Sequence, residues 1–146
     1  MIGIVLTAAT IFAAPVSADV IVASGWARAS ILASRPGAVY LTLQADPSDA
    51  LLFVSTPVAN AAIIHSVETG EGGIARMGTV VRLPLAAGAV VTMEPGDMHI
   101  MLMKLTKKLV EGESFPLTLT FENTGEMTID VPILGIAAKC PAKATQ

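Results

Sequence analysis

The chain has 146 residues, 53% of them hydrophobic and 14% charged, with a formal net charge of −3. That supplies the core of one compact domain and gives no sign of a second. Nine Lys and Arg, scattered rather than clustered, leave no electrostatic footprint for nucleic acid. Beyond the first eighteen residues the aromatics are only Trp26, Tyr40, Phe53, Phe115 and Phe121, too dispersed for a stacking platform.

Residues 1–18 carry no charge and end in Val16-Ser17-Ala18, small side chains of the kind a leader peptidase inspects, just before Asp19. The pattern predicts a signal peptide over 1–18 and a single exported domain over 19–146, with a periplasmic product. Pro15 breaks the apolar stretch, which is too short for a membrane span. No Lys or Arg precedes it, a departure from the usual leader. The single cysteine, Cys140, excludes an intramolecular disulfide, so the fold must stand on its apolar core. Its place after the last predicted strand, in a polar tail, reads as an inert thiol.

From Asp19 onward short β-like runs alternate with turn residues, and no amphipathic helical stretch of a dozen residues intervenes. Strands are expected over 20–29, 38–45, 50–55 and 60–68, with Arg35-Pro36-Gly37 and Asp46-Pro47-Ser48-Asp49 as turns between them. Gly70 to Gly73 reads as a hairpin loop. Further strands are expected over 74–77, 79–83, 89–94, 98–105, 115–122 and 127–134. Leu117, Leu119 and Phe121 alternate with Thr118 and Thr120, and Asn123-Thr124-Gly125-Glu126 supplies the following hairpin turn. Roughly eight to ten short strands at this spacing predict an all-β sandwich or barrel.

The most informative stretch is His99-Ile100-Met101-Leu102-Met103, which follows the turn dipeptide Pro95-Gly96. In a strand, His99, Met101 and Met103 share one face while Ile100 and Leu102 share the other. One imidazole and two thioethers then project together, a donor set that suits copper, and Cu(I) in particular, better than calcium or magnesium. The chain has only one other histidine, His65, and Met77 lies across the Gly-rich hairpin from it. A soft site would draw His65, Met77, His99 and Met101 from two hairpins at one end of a sandwich. Met103, on the same face, reads as packing, and Met93, Met98 and Met127 as ordinary core or surface residues.

These residues resemble the signature of the periplasmic PCuAC copper chaperone family: a histidine, about ten residues, a methionine, twenty-one residues, then His-X-Met. Here eleven residues separate His65 from Met77 and twenty-one separate Met77 from His99, and His99-Ile100-Met101 closes the pattern. Trp26-Ala27-Arg28-Ala29, Arg35-Pro36-Gly37-Ala38-Val39-Tyr40-Leu41, Glu94-Pro95-Gly96 and the run from Glu111 to Phe121 are similar to the family as well. The resemblance implies a cupredoxin-like, Greek-key-type β-sandwich that binds one Cu(I) through two histidines and two methionines. It also implies delivery of copper to the dinuclear centre of a respiratory cytochrome oxidase subunit, often alongside a thioredoxin-like assembly partner. Separately, a monomer without enzymatic activity is expected.

Three departures accompany it. Val67 stands where many members carry a second methionine near the first histidine; Lys104 follows Met103 where glycine is common; and the tail from Lys139 to Gln146 has no Met or His. One Cu(I) site with little capacity for Cu(II) is therefore expected. Thioethers do not ionise and do not form disulfides, which suits an oxidising compartment. A blue-copper carrier would need a cysteine with two histidines, and Cys140 has no histidine after it; no Gly-X-Ser-X-Gly or comparable hydrolase constellation occurs. The competing expectation is a metal-free secreted β-sandwich that serves as a protein-interaction module.

Overall fold

The computed structural model describes residues 19–140. The expected leader over 1–18 and the end of the tail, 141–146, lie outside the described residues. Ten strands form: β1 (Asp19–Arg28), β2 (Gly37–Asp46), β3 (Asp49–Ser55), β4 (Ala59–Thr69), β5 (Ala75–Thr79), β6 (Leu83–Leu85), β7 (Val90–Thr92), β8 (His99–Leu105), β9 (Ser114–Phe121) and β10 (Gly125–Leu134). Among the described residues the only helical turn is a single 3-10 turn, Glu71–Gly73, inside the β4–β5 hairpin. The all-β expectation holds, and the chain folds as a β-sandwich.

One layer runs β5-β4-β8-β2-β1, with β7 also paired to β2; the other runs β10-β9-β3-β6. A short parallel contact joins them, Ala27 to Ile133 and Arg28 to Leu134. The remaining pairings between strands are antiparallel. The core follows from alternation: Val39, Leu41 and Leu43 on β2 and Ile100 and Leu102 on β8 turn inward from one layer. Leu117, Leu119 and Phe121 on β9 with Val131 and Ile133 on β10 meet them from the other. Glycine suits the close packing at Gly25, where a Cβ would come within 2.9 Å of Leu41 Cδ2 and force that side chain to shift.

Two breaks in alternation escape a reading of period two. On β3 the register slips between Leu51 and Phe53, so Leu51 and Val54 both face the core while Leu52 and Phe53 are left exposed. On β8, Ile100 and Leu102 point inward, yet Lys104 is exposed and Leu105 is buried instead. The cause is the backbone of Lys104, whose φ of 51° lies in the left-handed region and turns the strand over by one residue. The sequence boundaries also shift between residues 74 and 83. A strand runs unbroken through Gly78 as β5, residues 80–82 connect, and β6 begins only at Leu83.

Lys104 therefore holds a conformation that costs an L-residue about 1–2 kcal/mol and that glycine adopts freely. Lys104→Gly is expected to raise the unfolding free energy by about 0.5 kcal/mol, the strain relieved minus the extra backbone entropy glycine loses. Lys104→Val, β-branched and intolerant of positive φ, is expected to lower it by about 1 kcal/mol. Urea denaturation of the two variants beside the parent checks the order.

Candidate metal centre

The register assembles the site. His65 on β4 stands directly opposite His99 on β8 and, on its other side, opposite Thr79 on β5. Directly opposed residues share a face, so His65, His99, Thr79 and their i±2 neighbours Met101 and Met77 all lie on one side of the layer. His65 is the hub. Met101 sits diagonally from it across the β4–β8 pair, where Met101 itself opposes Ile63, and Met77 sits diagonally across the β4–β5 pair, opposing Val67. Diagonal neighbours lie about 7–8 Å apart, within reach of long side chains. The four residues span three adjacent strands, and the two thioethers flank His65 from opposite diagonals.

The two rings are in contact, with centroids 5.8 Å apart and planes at 80°. His99 is 7% exposed, His65 and Met101 are half-buried, and Met77, on the edge strand, is 60% exposed. Met103 shares the face but opposes Ala61, a further step from His65.

What holds His99 is the turn before it. Gly96 at φ 87° closes Glu94–Asp97, with Asp97 N donating to the Glu94 carbonyl at 3.0 Å, and β8 starts two residues later. The Asp97 carbonyl then lies 2.9 Å from His99 Nδ1. A carbonyl only accepts, so Nδ1 carries the proton and donates, and the lone pair of the neutral ring is on Nε2. This is how protein metal sites commonly orient an imidazole ligand.

His65 supplies the complementary observation. Its Nδ1 is the one buried side-chain nitrogen or oxygen among the described residues that has no hydrogen-bond partner. A buried polar atom left unpaired costs about 1–3 kcal/mol unless something else satisfies it. An electron-pair acceptor beside His99 would do so. Among the described residues no three of His, Cys, Asp and Glu gather in a metal-holding group. A centre on this histidine pair is therefore completed by neither carboxylate nor thiolate, and the donors beside it are thioethers. The donor set fits a soft monovalent ion.

The structure adds a feature that sequence reasoning missed. Trp26 opposes Tyr40 across β1–β2, with ring centroids 4.6 Å apart, and continuation of the β2–β8 ladder sets Tyr40 level with His99, its ring 6.4 Å away. Trp26, Tyr40, His99 and His65 thus form one row of rings across four strands. Cross-strand register, which no local pattern encodes, creates it. Cys140 is exposed and lines a pocket with Glu111, Ile133 and Ala138, none of which belongs to the row.

The chain matches the model of the LpqE-like lipoprotein family over residues 20–133. Among solved structures it is similar to the apo PCuAC domain of PmoF2, with 24% identity over 84% of this chain and 94% of that one and a TM-score of 0.66. The copper-bound PCuAC domain of PmoF2 gives 24% identity, 82% and 93% coverage and a TM-score of 0.64. The Cu(I) form of DR1885 from Deinococcus radiodurans gives 26% identity, 84% and 80% coverage and a TM-score of 0.61. No curated protein matches the chain. With the family model covering both layers and the whole histidine row, the chain belongs to the LpqE-like family and has the fold of the PCuAC copper-chaperone domains.

Proposed function

We propose that this protein is an exported copper chaperone that carries one Cu(I) on His65, Met77, His99 and Met101 and hands it on by ligand exchange. The observation that carries this reading is the histidine pair itself. One ring has its Nδ1–H tied to Asp97 with Nε2 left as donor, and the other has a buried nitrogen that nothing among the described residues satisfies. The copper-bound PmoF2 domain and Cu(I) DR1885, which share the fold, support it.

The geometry suits a carrier more than a catalyst. His99 is buried and Met77 exposed on an edge strand, so an incoming partner reaches the Met77 thioether first and can replace it while the histidines still hold the ion. Softness favours Cu(I) over Zn(II). The recipient we propose is a copper-accepting subunit of a respiratory oxidase, with a thioredoxin-like partner taking part in its assembly. The protein acts as a monomer in the periplasm after cleavage between Ala18 and Asp19; the lipoprotein character of its family supports export. Among the described residues no helix is long and apolar enough to cross a membrane.

Anaerobic titration tests the reading. One equivalent of Cu(I) is expected to bind, and X-ray absorption at the copper edge is expected to show mixed sulfur and nitrogen neighbours, while Zn(II) at the same concentration leaves the histidine resonances unmoved. Absence of Cu(I) binding would leave the metal-free interaction module as the better account.

A further inference from the structure

On the same side of the layer as the histidine row, a cleft of about 300 Å³ opens between the end of β1, the Arg35-Pro36-Gly37 turn and Ile136. Two guanidinium groups, Arg28 and Arg35, line it, and no carboxylate does. Among the described residues the ion pairs are Arg82–Glu122 and Lys107–Glu113, so neither arginine is neutralised, in a chain whose net charge is negative.

Arg28 is held in place before any ligand arrives. Its Nε donates to the Ala138 carbonyl at 2.7 Å and its guanidinium carbon lies 5.7 Å from the centroid of the Tyr40 ring, a cation–π arrangement. The two terminal nitrogens keep their N–H groups for a planar, two-toothed acceptor, the geometry in which arginine binds carboxylate best. Arg35 is exposed. The rim is apolar, with Ile31 and Ile136 both exposed. An arginine anchor ringed by apolar side chains is the usual make-up of a protein contact.

The cleft also adjoins the metal centre. Tyr40, under the Arg28 guanidinium, has its ring 6.4 Å from that of His99, and Ala38 in the cleft wall directly opposes Met101. We propose that this cleft receives an acidic side chain of the protein with which the chain exchanges copper, fixing the partner beside Met101. The inference rests on the copper-chaperone reading for the identity of the occupant; the carboxylate chemistry stands on the two arginines.

Two-dimensional NMR of the nitrogen-15-labelled protein tests it, with an acetylated, amidated pentapeptide carrying one Asp and one Glu around a leucine, and its Asn/Gln twin. The acidic peptide is expected to shift the Nε–H signals of Arg28 and Arg35 and the amides of Gly37 and Ala38, and the twin to leave them in place. Arg35→Gln, at an exposed position that packing does not depend on, is expected to weaken the peptide about fivefold. Equal binding of the twin, shifts elsewhere on the surface, or undiminished binding by R35Q would overturn the proposal. So would inorganic phosphate moving the same signals as strongly, since the cleft would then be a small-anion site. Chelator competition for Cu(I) on the same samples keeps the two readings apart. R35Q is expected to match the parent there, whereas a parent that binds the peptide and no copper would refute the chaperone reading alone.

Discussion

Replacing His99 with alanine is expected to weaken Cu(I) binding about a hundredfold or more, worth about 2.7 kcal/mol. Loss of outer hydrogen-bonding partners alone commonly costs 10–100-fold in metal sites, and His99→Ala removes both the donor nitrogen and the ring that the Asp97 carbonyl aligns. Met101→Leu and Met77→Leu remove one thioether each while nearly conserving volume, so each is expected to cost about tenfold, about 1.4 kcal/mol. His65→Ala belongs with His99, because His65 is the one residue of the four that neighbours the other three.

Met103→Leu provides the internal contrast. It keeps the same face and the same chemistry but stands opposite Ala61, beyond the diagonal reach that places Met101, and its affinity is expected to stay within about twofold of the parent. Competition with a Cu(I) chelator, with circular dichroism to confirm the fold, measures all five. If the four site variants bind as the parent does, coordination by this row is wrong.

The faces of the site strands were legible in the sequence because they depend only on period two. Ile100 and Leu102 are wholly buried and Met101 and Met103 are not, as alternation along β8 requires. Which strand lies beside β8 is another matter. His65 and His99 are thirty-four positions apart, and only the pairing of β4 with β8 makes them opposed. The same holds for Tyr40, whose neighbour His99 follows from the β2–β8 ladder.

Local pattern also failed where the backbone changes phase. Lys104 occupies a position that alternation assigns to the core, and a charge there would be costly; the positive φ that exposes it is a property of the folded chain. Between residues 74 and 83, Gly78 reads as a break yet stays in β5, because its partner Ser66 continues the ladder. The extra residue between His65 and Met77, relative to the family pattern, falls across a hairpin whose tip is a 3-10 turn with Gly72 and Gly73 at positive φ. Met77 still emerges on the face of His65.

The largest expected effect on stability lies in the other layer, at Asp49. Its carboxylate is buried at the first position of β3, where Oδ1 accepts from the amides of Ala50 at 2.8 Å and Asn123 at 2.9 Å. Oδ2 accepts from the amide and hydroxyl of Thr124 at 2.9 and 2.7 Å. One side chain thus fastens the β9–β10 turn to the start of β3. Asp49→Ala strands three main-chain donors and a hydroxyl and is expected to cost about 3 kcal/mol in urea unfolding at neutral pH.

Burial pushes the Asp49 carboxyl up, and the hydrogen bonds from Thr124, Asn123 and Ala50 together outweigh it, so the folded value lies below the ordinary 3.8. Above 3.8 both folded and unfolded chains are ionised and the contribution is complete; below it the unfolded chain takes up its proton first, and stability drains away as pH falls through the depressed folded value. Asp49→Asn, which keeps the shape and one acceptor but cannot ionise, is expected to cost about 2 kcal/mol at neutral pH and clearly less at about pH 3, because only the parent loses ground between the two. Urea midpoints for parent and variant at both pH values measure the convergence. A constant gap between them would mean that the charge on Asp49 contributes nothing and that its hydrogen bonds act as those of a neutral acceptor.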